Sequence, residues 1–337
     1  MTKDDFEMYW KYASLAYPVV IMGAGRWGRV LASVISNARD HTDNMMIVSR
    51  SNSLSTKEWI HNHSSMSGLK MRENILDAIS YFKDNCTEPP LFIVASRPSQ
   101  HSADVLSLTP HNVPIMVEKP IAEKGDKASK LISQHSEFFT STLSVGIEFS
   151  LSPAFHYISS IVKNNIQSMF LYWYDSQGER RYGEVKRYHE EIHVLDDIIY
   201  HAMSIFGIFA SEGINGFSVM NASLHSNRLK GTIKLGSDRI VCQVNADQKA
   251  KERVRMLVIR TIGGDEIAID FSDKNPLIRF SGKVLRLPKS YEKFSSNLRL
   301  EIGCIFSELK GKNKHSPLST DINVFANLHK QINQFVG

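Results

Sequence analysis

The stretch Pro18-Val-Val-Ile-Met-Gly-Ala-Gly-Arg-Trp-Gly-Arg29 decides the fold of this chain. Its apolar part, Val19–Met22, contains β-branched residues and is typical of a buried parallel strand. The next six residues, Gly23 to Gly28, spell G-x-G-x-x-G, and the helical spacing of apolar residues begins at Arg29. This pattern predicts a strand, a tight turn and a helix whose free N–H groups bind a pyrophosphate. We therefore expect a dinucleotide site at this turn.

The composition is that of a soluble globular protein. The chain has 337 residues, of which 42% are hydrophobic and 22% charged, enough for two domains. No run approaches the roughly 18 apolar residues of a membrane span, and the polar N-terminus does not resemble a signal peptide, so we expect a cytoplasmic protein. Cys86, Cys242 and Cys304 are far apart and odd in number, which predicts neither a disulfide framework nor a metal site.

The basic residues do not form a nucleic-acid footprint. The net charge is +5, and the densest basic cluster is Arg180, Arg181, Lys186 and Arg187. A nucleic-acid surface would need a longer stripe with interleaved aromatic residues. We expect no nucleic acid and no membrane partner, but a small-molecule substrate, for which an anion is compatible with the charge.

The end of the second predicted strand indicates the cofactor. Met45–Val48 is followed by Ser49-Arg50-Ser51 and not by an acid. An acid at this position binds the ribose 2′-hydroxyl of NAD, whereas small polar residues with an arginine suit the 2′-phosphate of NADP. The sequence therefore favours NADP(H) over NAD(H), although a solvated loop arginine would look the same.

The first half alternates strands and helices. Further strands are predicted at 90–95, 113–117 and 143–146, and helices over 69–82, from His101 or Ser102, and over 127–135. This order predicts a doubly wound parallel sheet, the Rossmann arrangement, with ligands at the carboxyl ends of its strands. Polar residues follow four of these ends, namely Gly23, Arg50, Ser96 and Lys119.

The second half has a different pattern. The predicted elements are a helix at 153–162, a strand at 166–174, a polar loop at 175–192, a helix at 193–209, six strands between 216 and 280, and helices at 290–311 and 321–335. This order predicts an α+β domain with a large, mostly antiparallel sheet. We assign residues 1–148 to a dinucleotide-binding domain with a short N-terminal helix, and residues 149–337 to a domain for substrate binding and oligomerisation.

Further motifs resemble the Gfo/Idh/MocA oxidoreductases, the glucose-fructose oxidoreductase and inositol dehydrogenase family. They occur in the family's order: Val94-Ala-Ser-Arg-Pro-Ser-Gln-His101, Val117-Glu-Lys-Pro-Ile-Ala122, Val145-Gly-Ile-Glu-Phe-Ser-Leu-Ser-Pro153 and Leu195-Asp-Asp-Ile-Ile-Tyr-His201. Two features depart from the family: Ser150 or Leu151 replaces an arginine, and no glycines precede the last motif. Both departures lie on the substrate side.

The resemblance implies that His201 is a general acid/base, that Asp197 orients it or the substrate, and that Lys119 positions the reacting oxygen. Hydride transfer from a carbinol needs such a proton acceptor, and histidine titrates near neutral pH. Asp197 and His201 are four residues apart and therefore share a helix face. Asp196 points elsewhere in this register, but it is the carboxylate of the site if the helix register differs by one residue. The resemblance also places His101 near the nicotinamide, although a helix start explains a polar residue there equally well.

The predicted sites form two further groups. The cofactor group is Gly23, Ala24, Gly25, Arg26, Trp27, Gly28, Ser49, Arg50, Ser51, Ser96, Arg97, His101 and Glu118. The substrate group is Tyr174, Arg180 and His193.

The combined prediction is an NADP(H)-dependent oxidoreductase that transfers a hydride between the nicotinamide and a carbonyl or carbinol of a sugar-like or sugar-nucleotide substrate, in a biosynthetic reduction. One alternative is an NADPH-dependent imine reductase in siderophore-like secondary metabolism. Another is a non-catalytic regulator that senses a dinucleotide. The resemblance also implies a homodimer or homotetramer.

Overall fold

The short apolar runs of the first half form a parallel sheet. The computed structural model describes residues 1–51, 53–122, 127, 130–131, 143–162, 164–176, 178, 180–181, 184–185, 192, 194–210, 217–225, 227–235, 240–273, 275–312, 324, 327, 331–332 and 334–335. The strands of this sheet are β1 (Val19–Met22), β2 (Met45–Val48), β3 (Lys70–Arg72), β4 (Leu91–Val94), β5 (Ile115–Glu118) and β6 (Leu143–Gly146). Among these described residues the order is β3-β2-β1-β4-β5-β6, all parallel. Because helices cover both faces, β1, β2, β4 and β5 are buried along their whole length.

The helices of this half are α1 (Lys3–Tyr12), α2 (Arg26–Asn37), α3 (Ser53–His61), α4 (Ile75–Asn85) and α5 (Pro98–Leu108). Two of them begin three residues earlier than predicted. Gly25 is the N-cap of α2, so the glycine motif lies partly inside the helix. Proline suits the first turn of a helix, and α5 accordingly begins at Pro98 and not at His101.

The predicted helix over 69–82 was wrong at its start. Residues Lys70–Arg72 extend the sheet as β3, in parallel register with Met46–Val48. Helix α4 begins after its N-cap Asn74, whose side chain accepts a hydrogen bond from the Leu76 N–H. The predicted helix over 127–135 lies largely outside the described residues.

The second half contains a larger sheet. Its elements are α6 (Pro153–Val162), β7 (Ile166–Ser176), β8 (Arg180–Arg181), β9 (Glu184–Val185), α7 (Val194–Phe209), β10 (Phe217–His225), β11 (Arg228–Leu235), β12 (Ile240–Ala250), β13 (Val254–Thr261), β14 (Glu266–Asp270), β15 (Leu277–Phe280), β16 (Lys283–Leu285), α8 (Lys289–Glu292) and α9 (Asn297–Leu309). In the part of the chain described, the sheet order is β10-β11-β12-β7-β13-β14-β15-β16. The pair β12 and β7 is parallel and its neighbours are antiparallel.

This sheet confirms the predicted fold class. The short edge strand β16 was missed, and the polar segment after β7 contains the β8–β9 hairpin. The predicted helix at 290–311 is divided into α8 and α9, and the helix at 321–335 lies mostly outside the described residues. Within the described chain, no helix has the length and apolar character needed to cross a bilayer.

Helix α1 packs directly on α9. A Cβ atom added at Gly303 would lie 1.7 Å from the carbonyl oxygen of Tyr9, so the two backbones are in contact. Helix α9 also contacts α2 and the turn at residues 148–151. The N-terminal helix therefore supports α9 beside the first sheet.

Candidate active site

A cavity of about 970 Å³ follows the carboxyl ends of β1, β2, β4 and β5 and continues under α7. It brings together most of the predicted site residues. Those that line it are Gly23, Ala24, Gly25, Arg26, Trp27, Ser49, Arg50, Ser51, Ser96, Arg97, His101, Glu118, Lys119, Asp197 and His201. The carboxyl ends of parallel strands lie at one edge of a sheet. This arrangement brings together predicted site residues that are up to 178 positions apart in sequence, from Gly23 to His201.

The glycine loop is shaped to admit a dinucleotide. Gly23 has a φ of +111°, and a Cβ there would lie 2.6 Å from the Ala95 carbonyl oxygen. Gly28 does not line the cavity; a Cβ there would lie 1.9 Å from the Gly23 carbonyl oxygen, so this glycine allows α2 to pack on the loop. A Cβ at Gly25 would meet nothing within 4 Å.

The start of α2 also fits a pyrophosphate. Gly25 caps α2 without any side-chain hydrogen bond, so its side of the cavity presents backbone N–H groups and no methyl group. A helix N-terminus of this kind carries partial positive charge and binds phosphate oxygens. The loop therefore fits the diphosphate of a nicotinamide dinucleotide.

The Arg50 side chain is anchored by Asp104, a residue of α5. Its Nη2 donates to Asp104 Oδ1 at 2.6 Å, and the Ser96 hydroxyl donates to Asp104 Oδ2 at 2.6 Å. The guanidinium side chain is 44% exposed, whereas the Asp104 side chain is 2% exposed. The Ser49 side chain turns inward and shares a hydrogen bond of 3.3 Å with the Thr56 hydroxyl.

His101 joins two parts of the cavity wall. Its Nδ1 lies 2.8 Å from the Pro120 carbonyl oxygen and its Nε2 lies 2.9 Å from the Ser96 carbonyl oxygen. The ring is buried, and burial lowers the pKa of His101, an effect that the two carbonyl groups partly offset. The ring thus ties the turn after β4 to the turn after β5.

Lys119 connects the first sheet to α7. Its Nζ donates to Asp197 Oδ1 at 2.5 Å and approaches the Asp197 carbonyl oxygen at 3.3 Å. The other carboxylate oxygen, Oδ2, accepts a hydrogen bond of 3.1 Å from Nε2 of Gln248, a buried side chain on β12. The Lys119 and Asp197 side chains remain 21% and 19% exposed, so the pair is partly open to the cavity.

His201 lies one helical turn after Asp197 and is held by aromatic rings. Trp173 stacks on its ring with a centroid distance of 4.7 Å and an interplanar angle of 16°. Phe149 approaches the same ring edge-on at 5.1 Å. Of the two adjacent aspartates, Asp197 lines the cavity and Asp196 does not.

A buried ion pair lies behind this stack. The Arg255 guanidinium lies 3.8 Å from the centroid of the Trp173 ring, on which His201 also stacks. It forms an ion pair with Asp175 and donates to the Tyr174 carbonyl oxygen at 2.7 Å. Because both charged side chains are buried and hydrogen-bonded to each other, they fix the position of the indole ring.

Carboxyl groups line the cavity near the glycine loop. Burial raises the pKa of Glu118 to about 7, with a further contribution from Glu148, while the Trp27 side chain opposes the shift. Burial and the neighbouring Glu118 and Glu148 also raise the pKa of Glu301 well above its ordinary value. Glu301 Oε1 accepts a hydrogen bond of 2.6 Å from the Ile147 N–H.

The structure describes the side chain of one member of the predicted substrate group, Tyr174. Side chains alternate along a strand, and Trp173 faces α7 and His201, so the adjacent Tyr174 faces the opposite side of the sheet. The structure thus places Tyr174 outside the lining of this cavity. The side chain of Arg180 and all of His193 lie outside the described residues.

The residues of the site that the sequence analysis did not identify include Glu148 and Glu301, described above, and Asp104, Gln248 and Trp173. Asp104 lies one turn after His101, so the helical period of α5 could have identified it. Gln248 and Trp173 come from β12 and β7, whose pairing brings residues far apart in sequence together. No local signal marks either of them.

Comparison with known protein families gives a match in the first half of the chain. Residues 17–138 match the family model GFO_IDH_MocA, described as an oxidoreductase family with an NAD-binding Rossmann fold. No curated protein sequence matches the chain at a significant level.

Solved structures resemble the chain over almost its whole length. The 3-ketoreductase KijD10 from Actinomadura kijaniata, in complex with NADP and TDP-benzene, has 13% identity and a TM-score of 0.71, and the match covers 95% of this chain and 98% of that one. UDP-N-acetylglucosamine 3-dehydrogenase GnnA from Acidithiobacillus ferrooxidans has 13% identity and a TM-score of 0.68, with 96% and 98% covered. Levoglucosan dehydrogenase, in complex with NADH and levoglucosan, has 14% identity and a TM-score of 0.70, with 94% and 96% covered.

At such low identity these structures establish the fold. Their cofactors differ, since one complex contains NADP and another NADH. The match of residues 17–138 carries the family comparison. These residues of the chain therefore match the Gfo/Idh/MocA oxidoreductase family, which the motifs of the sequence resemble.

Proposed function

We propose that the protein is an NADP(H)-dependent oxidoreductase that acts on a carbonyl or carbinol of a sugar-like or sugar-nucleotide substrate. The observation that carries the proposal is the contact between Lys119 Nζ and Asp197 Oδ1 at 2.5 Å. This contact links the turn after β5 to the helix that bears His201. Lys119, Asp197 and His201 all line the cavity that contains the glycine loop.

The arrangement supports proton-coupled chemistry beside a nicotinamide. When bound, the dinucleotide supplies or takes up the hydride. The Lys119 ammonium is placed to stabilise negative charge on a substrate oxygen. A ring nitrogen of His201 takes the proton of a carbinol or returns it to a carbonyl, while Asp197 holds the ammonium. Trp173 restricts the imidazole to one orientation.

The substrate class is supported by the polar lining around Lys119. Asp197, His201, Gln248 and Glu148 offer hydrogen-bond partners suited to a polyhydroxylated molecule. The structural relatives named above include a UDP-N-acetylglucosamine dehydrogenase and a levoglucosan dehydrogenase. The preference for NADP(H) is supported by Arg50, whose guanidinium lines the cavity at the end of β2 where no acid is present.

The test uses Lys119→Ala and His201→Ala with the exposed Lys83→Ala as control. NADPH affinity is measured by calorimetry, and NADPH oxidation is followed across keto sugars, oxidised sugar nucleotides and imines. We expect both site variants to bind NADPH and to lose roughly 100-fold or more in turnover, while Lys83→Ala keeps its rate. Wild-type rates in both site variants would overturn the assignment. Turnover of imines with none of carbonyls would favour the imine reductase alternative.

A separate titration tests the cofactor preference. Arg50→Ala should weaken NADPH binding more than NADH binding, because the guanidinium pairs with the 2′-phosphate that NADH lacks. Tighter binding of NADH than NADPH by the wild-type protein would contradict the preference.

A further inference from the structure

Asp104 occupies a position where a carboxylate is costly. It lies on the buried face of α5, together with His101, Val105 and Leu108. A charge in such a position is destabilising unless it is paired and hydrogen-bonded. Both of its oxygens are engaged, one by Arg50 Nη2 and the other by the Ser96 hydroxyl, each at 2.6 Å.

The partners of Asp104 are themselves part of the cavity wall. Arg50 follows β2 and Ser96 follows β4, so the carboxylate bridges the ends of the two strands on either side of β1, which leads into the glycine loop. Among the described residues, Asp104 is the hydrogen-bond partner of the Arg50 guanidinium, which leaves Nε and Nη1 available. The Arg50 side chain is half-exposed and lines the cavity, while its anchor Asp104 is buried.

We propose that Asp104 is a positioning residue that fixes the Arg50 guanidinium for the 2′-phosphate of NADP(H) and thereby sets the cofactor selectivity of the site. The inference rests on the proposed preference for NADP(H). A free arginine side chain loses rotamer entropy when it binds phosphate, and an anchored one has already lost most of it. The anchor therefore increases affinity for the phosphorylated dinucleotide and leaves NADH binding nearly unchanged.

A carboxylate near a phosphate also repels it, and the two effects can be separated by substitution. Asp104→Asn keeps an oxygen that accepts from Arg50 and removes the charge, whereas Asp104→Ala removes both. If anchoring dominates, Asp104→Ala lowers NADPH affinity while Asp104→Asn keeps most of it. If repulsion dominates, both variants bind NADPH more tightly than the wild type.

The experiment is a double-mutant cycle in which NADPH and NADH affinities are measured by calorimetry on the purified proteins. The variants are Asp104→Ala, Asp104→Asn, Arg50→Ala and Arg50→Ala with Asp104→Ala. The exposed Asp84→Ala is a control for the change in net charge. Thermal unfolding of each variant confirms that it is folded.

We expect Asp104→Ala to weaken NADPH binding about tenfold and NADH binding less than twofold, and Asp104→Asn to stay within threefold of the wild type for both. In the Arg50→Ala background, Asp104→Ala should have no further effect, because the residue acts through Arg50. A purely structural role for Asp104 would weaken both dinucleotides equally and in both backgrounds.

The inference is overturned if Asp104→Ala leaves NADPH affinity unchanged or raises it. It is also overturned if the variant lowers NADH affinity by the same factor as NADPH affinity. Failure of the underlying preference has a different signature. In that case Arg50→Ala leaves the ratio of NADPH to NADH affinity at its wild-type value, whatever the Asp104 variants do.

Discussion

Hydrogen bonds between the two halves of the chain help to hold the candidate catalytic residues. Asp197 accepts hydrogen bonds from both halves of the chain, from Lys119 in the turn after β5 and from Gln248 on β12. Gln248 is buried, so its amide has little freedom to move away. The orientation of the Lys119 ammonium therefore depends on a residue that carries no charge.

Substitution of Gln248 should reduce catalysis and not cofactor binding. We expect Gln248→Ala to lower kcat/KM at least tenfold, since a hydrogen bond to a charged group contributes about 1.5–3 kcal/mol. NADPH affinity should stay within twofold. Gln243→Ala, an exposed position on the same strand, is the matched control. Equal kcat/KM values for the two variants would contradict the positioning role.

At the scale of elements, the glycine loop combines two separate requirements. Gly28 is needed for packing, because a Cβ there would lie 1.9 Å from the Gly23 carbonyl oxygen. Gly25 has ordinary extended backbone angles and no neighbour within 4 Å of its added Cβ. Alanine is therefore tolerated by the fold at Gly25 but not at Gly28.

The two alanine variants should consequently fail in different ways. Gly28→Ala should be destabilised by about 1–3 kcal/mol or more, as expected for overpacking. Gly25→Ala should unfold near the wild-type temperature yet lose most of its stabilisation by NADPH, because its methyl group occupies the approach of the pyrophosphate. Thermal unfolding with and without NADPH measures both effects. A wild-type NADPH shift for Gly25→Ala would remove this loop from the dinucleotide site.

The bounds of the strands and helices show which parts of the fold could be predicted from the sequence and which could not. Strands β1, β2 and β6 were placed to the residue, because short apolar runs between turns leave few alternatives. Helix starts at Arg26 and Pro98 were missed, because a glycine or arginine N-cap offers no side-chain signal. The cavity residues at strand ends were predictable from the parallel sheet. The position of Tyr174 outside the cavity lining could not be predicted, because the face that a strand residue occupies depends on the element packed against the strand, here helix α7 on the Trp173 side.

At the scale of the whole molecule, buried carboxyl groups couple stability to pH. Glu118 on β5 and Glu301 on α9 both have a pKa raised chiefly by burial, and each lies near Glu148. A pKa that is higher in the folded than in the unfolded chain favours folding at low pH. The stability that these two groups contribute is fully present below about pH 4.5, the ordinary pKa of a glutamate side chain. It is lost as the pH rises through 7 and above.

Glu301→Gln should weaken this dependence. Glutamine keeps an oxygen that accepts from the Ile147 N–H but does not ionise. We expect the variant to be more stable than the wild type at pH 8 and to show a smaller loss of stability between pH 5 and 8. Each unit of pKa shift corresponds to about 1.4 kcal/mol. Denaturant unfolding at several pH values measures the effect, with the exposed Glu292→Gln as control. Parallel curves for Glu301→Gln and the wild type would contradict the coupling.

The close crossing of α1 and α9 at Gly303 has a practical consequence for anyone shortening this protein. Val19 is an attractive starting point, since the first strand of the parallel sheet begins there and leads into the glycine motif. A version that begins at Val19 would uncover the face of α9 that contacts Tyr9, and α9 contributes Leu298 and Glu301 to the cavity. An N-terminal deletion that leaves the glycine loop itself intact would thus act on the cavity through α9, and studies of binding should retain the first helix.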